Sequence, residues 1–276
     1  MVFIDPIFLE IGPISIHYYG LVYAIGLVIV YMFLQKFRER FHATEEQVST
    51  LIFFLFLGLL VGGRVGHFLI DQPMALLTNP LILLYIWQGG MSFFGAVLGM
   101  VFFSYIYCQK QSLSFMRIAD YVVIPATLVL VFGRIANFIN QELVGRETTV
   151  AWCVEFVTAT GCRHPYQLYA SFSHLLLFGL LLFIFLMYPR LKELYRGLLF
   201  SFFLIGYSFF RFFTDFFRED TLVFFQLTIW QLISIIFFII GIYLAYNITQ
   251  RKEVKHGHDN TRDHSKKKRR KSKRKR

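Results

Sequence analysis

Seven apolar runs, each about as long as a bilayer-crossing helix, constrain this chain more than any other feature. They cover roughly residues 18–35, 48–70, 92–109, 117–138, 167–188, 197–214 and 228–247. A hydrocarbon core about 30 Å thick needs about 20 residues of helix, and backbone groups inside it must find their hydrogen bonds within the segment. The expectation is an all-α polytopic membrane protein with seven transmembrane helices. The longest connector, about 140–166, is large enough to form a small outward head, and its TTVAWCVEF stretch reads as a short strand. Composition agrees, since 56% hydrophobic and 16% charged residues lie outside the range of an ordinary soluble domain. The N-terminus, MVFIDPIFLEIGPISIHYYG, has no basic n-region and carries Asp5 and Glu10, so a cleaved signal peptide is not expected.

The formal net charge of +11 suggests nucleic-acid binding until it is located. From Arg251 onward there are 14 Lys and Arg against 3 acidic residues, and the preceding 250 residues are neutral. The chain thus divides into a membrane domain, 1–250, and a disordered polybasic tail, 251–276. The tail suits anionic lipid at the cytoplasmic face, with nonspecific nucleic-acid contact second and no specific nucleic-acid partner. Lys36, Arg38, Arg40, Lys110, Arg117, Arg190, Lys192, Arg196 and the tail fall on alternate connectors. By the positive-inside rule that side is cytoplasmic, which puts the N-terminus and the 140–166 loop outside.

Six basic residues remain, Arg64, Arg134, Arg146, Arg163, Arg211 and Arg218, all arginine. In the seven-helix topology Arg64, Arg134 and Arg211 lie near the outer ends of helices two, four and six. A guanidinium in hydrocarbon costs a few kcal/mol, about 3 on insertion scales, and needs a partner or an anionic ligand. Structural ion pairs and snorkelling side chains are the plain alternative. Three forked donors at one depth favour an anion site, because guanidinium matches phosphate where ammonium does not. In VFGRIANFINQELVG, Arg134, Asn137 and Gln141 share one face if the helix continues. Tyr207, Arg211, Asp215 and Arg218 form a second stripe, with an Arg211–Asp215 pair as its structural reading. Gly62, Gly63, Gly66, Gly95 and Gly99 allow close helix approach, and Gly89-Gly90 a turn beside Trp87. Cys153 and Cys162 both face outward, so a bridge closing a small hairpin is expected. Cys108 reads as an inert core thiol, and no cysteine pattern suggests a metal site.

These residues resemble the prolipoprotein diacylglyceryl transferase family. The pattern G-R-x-[GA]-N-F-x-N-x-E-x-x-G is matched at Gly133, Arg134, Ala136, Asn137, Phe138, Asn140, Glu142 and Gly145. IHYYGL, GGRVG, WQGGMSF, RHPYQLY and YSFFRFFTDFFRED support it in order. The resemblance implies an inner-membrane enzyme, without cofactor, that moves diacylglyceryl from phosphatidylglycerol to the lipobox cysteine of a prolipoprotein. It implies that Arg134 and Arg211 hold the phosphate and the developing charge, with Arg64, Asn137, Glu142, Gly145 and Tyr207 around the lipid and Tyr19 at the catalytic centre. The family's His-Gly-Gly is here Phe94-Gly95-Ala96, and Ala170 replaces a common Glu. His67, where an aromatic is usual, is a candidate substitute proton acceptor; the alternatives are a thiol deprotonated in the field of the arginines without a dedicated base, and a site that binds lipid without turnover. A non-catalytic lipid-binding paralogue or an anion or lipid transporter is the alternative, although transporters place their sites nearer the midplane.

Overall fold

The structure, a computed structural model, describes residues 5–11, 14–70, 72–85, 90–187 and 195–250. Trp87, Gly89, Arg190, Lys192 and the basic tail lie outside the described residues. The elements are β1 (Ile7–Ile11), β2 (Ile14–His17), α1 (Tyr18–Phe37), α2 (Glu45–Ile70), α3 (Pro73–Thr78), α4 (Phe93–Lys110) and α5 (Phe115–Ile139). There follow β3 (Val154–Glu155), β4 (Cys162–Arg163), α6 (Tyr166–Met187), α7 (Leu198–Thr214), β5 (Leu222–Phe224), β6 (Leu227–Thr228) and α8 (Ile229–Gln250).

The protein is helical and polytopic, as the apolar runs require. Among the described residues six helices, α1, α2, α5, α6, α7 and α8, are long and apolar enough to cross a membrane. The expected count of seven is not reached. The third apolar run does form a helix, α4, but it is 18 residues long and its last turn carries Cys108-Gln109-Lys110. The predicted head strand is also shorter than its sequence suggests, only Val154–Glu155. The N-terminal hairpin β1–β2 was not anticipated.

Two units make up the chain, Gly20–Ala126, and Met1–Tyr19 with Thr127–Arg276. Within the first, α2 starts at a capping box. Thr44 Oγ1 accepts from the Gln47 backbone N–H at 3.1 Å, and Gln47 Oε1 accepts from the Thr44 N–H at 2.9 Å. Helix α2 then packs on α4 through glycines one turn apart. A Cβ added at Gly62 would lie 2.2 Å from the Gly95 carbonyl oxygen, and one at Gly99 would lie 2.1 Å from that of Gly58. Lipid provides no hydrophobic drive for helix association, so this backbone-to-backbone seam supplies dispersion contacts instead. The connector to α4 is tied back by the Ser92 N–H, which donates to the Gly63 carbonyl at 2.9 Å.

In the second unit α6 packs against α7, and the head closes over the end of α5. Cys153 and Cys162 are bridged, with Cα atoms 5.5 Å apart, as the sequence reading expects. The bridge holds β3 and β4 in an antiparallel hairpin. A second Thr-x-x-Gln capping box, Thr228 with Gln231, begins α8. Cys108 is a free, buried thiol.

Candidate active site

The sequence spacing around Arg134 becomes intelligible once the end of α5 is located. Arg134 and Asn137 are three apart on the helix, and Arg134 Nη1 donates to Asn137 Oδ1 at 3.4 Å. The helix stops at Ile139, so Gln141 does not continue their face. Gln141 and Leu143 instead take φ of +56° and +54°, which turns the chain back on itself. That reversal carries Glu142 under the helix end. Asn137 Nδ2 donates to Glu142 Oε2 at 3.2 Å and Asn140 Nδ2 to Glu142 Oε1 at 3.4 Å. Non-glycine residues in the left-handed region cost about 1–3 kcal/mol each and need support. The head supplies it. Gln141 Oε1 accepts from the Val157 N–H at 2.6 Å, and its carbonyl accepts from Thr158 Oγ1 at 2.8 Å. From α6, Gln167 Nε2 donates to the Glu142 carbonyl at 2.7 Å.

Gly145 is where this loop meets two other segments. It forms an antiparallel bridge with Arg218, and a Cβ on it would lie 2.2 Å from the His164 carbonyl oxygen and 2.9 Å from that of Phe217. Arg146 continues the contact, its N–H on the Phe217 carbonyl at 2.8 Å and its Nε on the Arg218 carbonyl at 2.9 Å. Arg163 pairs with Glu219 across the same seam. His164 Nδ1 lies 3.2 Å from the Tyr169 hydroxyl, with its ring against Phe217.

Helix α7 ends at Thr214 and continues as a 3-10 turn over Asp215–Phe217, so the stripe read as Tyr207 to Arg218 is helical as far as Asp215. Arg211 Nε lies 3.2 Å from Asp215 Oδ1, the structural pair considered from the sequence. The Tyr166 hydroxyl donates to the same oxygen at 2.9 Å. Arg218 has left the helix and pairs with Asp220 at 3.5 Å. Arg134 and Arg211 are partly exposed, and both act electrostatically on Tyr166 and on His174. The two arginines stand on different helices, Arg134 on α5 and Arg211 on α7. Tyr207 stacks on His174, ring centroids 5.4 Å apart and planes 10° from parallel. The face of α6 that sequence reading passed over, Gln167, Ser171 and His174, is buried here. Its signal was available: polar residues at i, i+4 and i+7 inside an apolar span.

A positively charged cluster on membrane helices, buttressed by a Glu-and-Asn turn, matches the chemistry of a lipid phosphate site. The family model for prolipoprotein diacylglyceryl transferase matches residues 6–247. The chain belongs to the prolipoprotein diacylglyceryl transferase family. Among its relatives, the phosphatidylglycerol–prolipoprotein diacylglyceryl transferase of Pseudoalteromonas atlantica is 42% identical over 217 residues, 78% of this chain and 76% of that protein. The enzyme of the same description from Rickettsia typhi is 35% identical over 256 residues, 90% and 98% of the two chains. That from Coxiella burnetii is 41% identical over 219 residues, 78% and 82%. This diacylglyceryl transferase is thus an integral membrane enzyme of lipoprotein biosynthesis.

The remaining predicted residues of this family member are Tyr19, Arg64 and His67. Tyr19 is at the first turn of α1, and its neighbour Tyr18 packs edge-on against Phe8 at 5.4 Å. Arg64 and His67 belong to the Gly20–Ala126 unit. The Arg64 guanidinium is 3% exposed and donates to the carbonyls of Ile82 at 2.6 Å, Tyr85 at 3.0 Å, Gly90 at 3.2 Å and Leu83 at 3.4 Å, with the Phe68 ring 4.7 Å beneath. That leaves it holding the α3–α4 connector, at the end of the 3-10 turn Pro80–Leu84 and at Gly90. The His67 imidazole fills the space a Cβ on Gly90 would need, 2.4 Å from Nε2, and Gly90 has φ of +77°. Phe94 stands at the start of α4, 37% exposed.

Proposed function

We propose that this enzyme transfers the diacylglyceryl group of phosphatidylglycerol to the lipobox cysteine thiol of prolipoproteins in the signal-peptide region, at the outer leaflet of the bacterial inner membrane. The reaction is a displacement at carbon. The thiol sulfur forms a thioether bond to the terminal glyceryl carbon, the carbon–oxygen bond to phosphate breaks, and glycerol phosphate leaves with the electron pair. Arg134 and Arg211 hold the phosphodiester and stabilise the charge that develops on the departing oxygen. Asn137 and Glu142 orient Arg134, Asp215 orients Arg211, and Tyr19 and Tyr207 contact the headgroup. Gly145 lets the loop close, and Arg64 holds the α3–α4 connector. The observation that carries this reading is the pair of held arginines: Arg134 donates to Asn137, which donates in turn to Glu142, and Arg211 pairs with Asp215.

The topology that goes with it has seven crossings, with α4 as the seventh, the N-terminus outside and the C-terminus in the cytoplasm. An odd number of crossings follows from the basic connectors, which all then fall on one side. The tail from 251 associates with anionic cytoplasmic lipid and takes no part in catalysis.

Purified enzyme in phosphatidylglycerol vesicles, offered a lipobox peptide, should add one diacylglyceryl mass to the peptide cysteine and release glycerol phosphate. Arg134→Lys and Arg211→Lys should each lower kcat/KM about a hundredfold, as loss of one charge-stabilising donor does elsewhere. A wild-type protein that binds the lipid but modifies no peptide would end the catalytic reading in favour of a lipid-binding role.

A further inference from the structure

We propose that His174 is the group that takes the proton from the acceptor thiol. This deepens the transfer reading above and rests on it. His174 lies on α6 eight residues after Tyr166 and is 3% exposed. An ionisable side chain in the middle of an apolar span requires a reason. One ring nitrogen is engaged, since the imidazole donates to the Leu130 backbone carbonyl on α5. The other, Nδ1, is buried without a hydrogen-bond partner. The neutral tautomer with its proton on Nε2 therefore presents a bare acceptor lone pair at Nδ1.

Register places His174 inward of Arg211. Tyr166 meets Asp215 and His174 meets Tyr207, so α6 and α7 run antiparallel. Arg211 lies one turn from Tyr207 toward Asp215, about 6 Å along the axis. His174 is consequently about one turn deeper into the helices than the guanidinium that holds the phosphate. Displacement at carbon is in line, with the nucleophile entering opposite the leaving oxygen. With the phosphate at Arg211 and the acyl chains running inward, sulfur arrives on the inward side, level with His174.

The titratable and charged groups facing His174 are Arg134 on α5 and Tyr207 and Arg211 on α7. Moving the proton from thiol to Nδ1 leaves the net charge of the pair unchanged, and the bound phosphodiester offsets one of the two arginines. The step balances: the S–H proton goes to Nδ1, sulfur bonds to the glyceryl carbon, and the proton passes to an oxygen of the released glycerol phosphate.

The test uses the full-length enzyme in phosphatidylglycerol vesicles with a lipobox peptide, following kcat, KM for the lipid and the pH dependence of each. His174→Phe keeps a ring to stack on Tyr207 and removes the acceptor. His174→Gln keeps an acceptor oxygen without a usable base. Both should retain KM within about threefold and lose kcat about a hundredfold or more, the usual share of general-base catalysis. Their kcat should climb with pH toward the intrinsic thiol ionisation, about 8.5, while wild type levels off earlier. Retained kcat in either variant overturns the assignment, and so does a loss confined to KM with an unshifted pH profile, which would mark a packing role. The same alkaline shift in His67→Phe, with His174→Phe unshifted, overturns it in favour of α2. Failure of the wild type to transfer at all sinks the underlying reading and is seen before any variant is compared.

Discussion

Gly145 illustrates how a fixed position in a motif acquires its reason only from neighbours distant in sequence. Its missing side chain leaves room for the carbonyls of His164 and Phe217, which arrive from the head and from beyond α7. Neither can retreat, because the same segments carry the Arg146 and Arg163 contacts. Gly145→Ala should therefore destabilise the folded protein by about 1–3 kcal/mol, the range for overpacking at a filled site. Thermal unfolding in detergent measures it, and a midpoint equal to wild type would contradict the crowding. Arg134, Asn137 and Glu142 were readable together because their hydrogen bonds span eight residues and a single turn. Arg64 was not. Its position in an apolar span advertises an unmet charge, and only the folded connector reveals the four carbonyls that meet it.

Among the elements, α2 and α4 show what membrane packing demands of sequence. Gly58, Gly62 and Gly66 repeat every fourth residue and face Gly95 and Gly99. The repeat predicts a close helix pair, and Gly58 extends it by a turn beyond Gly62 and Gly66. Gly62→Leu would drive a side chain into backbone at 2.2 Å and force the helices apart. The expected outcome is a loss of several kcal/mol, about 3 or more, seen as poor membrane accumulation or a lowered midpoint, while Gly133→Ala, with open space around its Cβ, should accumulate normally. The head works by a different device. A disulfide-closed hairpin holds Val157 and Thr158 over Gln141, and the bridge restrains the unfolded chain by about 2–3 kcal/mol for a loop of this size. The short strand follows from this: side chains and a covalent bond take over work that a longer ladder would do.

For the molecule as a whole, charge distribution assigns the ends their tasks. All the net charge lies in the last 26 residues, outside the family match at 6–247. A truncation after Gln250 should keep kcat and KM within about twofold in neutral detergent and weaken only attachment of the C-terminal end to anionic vesicles, each basic residue near the surface contributing about 1 kcal/mol. A fall in kcat beyond tenfold would place the tail in the chemistry. The apolar runs alone determined that the chain is a helical membrane protein, because hydrocarbon admits no other way to satisfy the backbone of seven such stretches. The Gly133–Gly145 pattern, being local, determined the family. Tertiary structure alone decided that Gln141 turns away from Arg134 into the head and that Arg64 serves a connector. It also decided that His174 stacks on Tyr207 beside two arginines. Those outcomes depend on which helix end meets which, and residue spacing along one helix contains no information about the partner on the next.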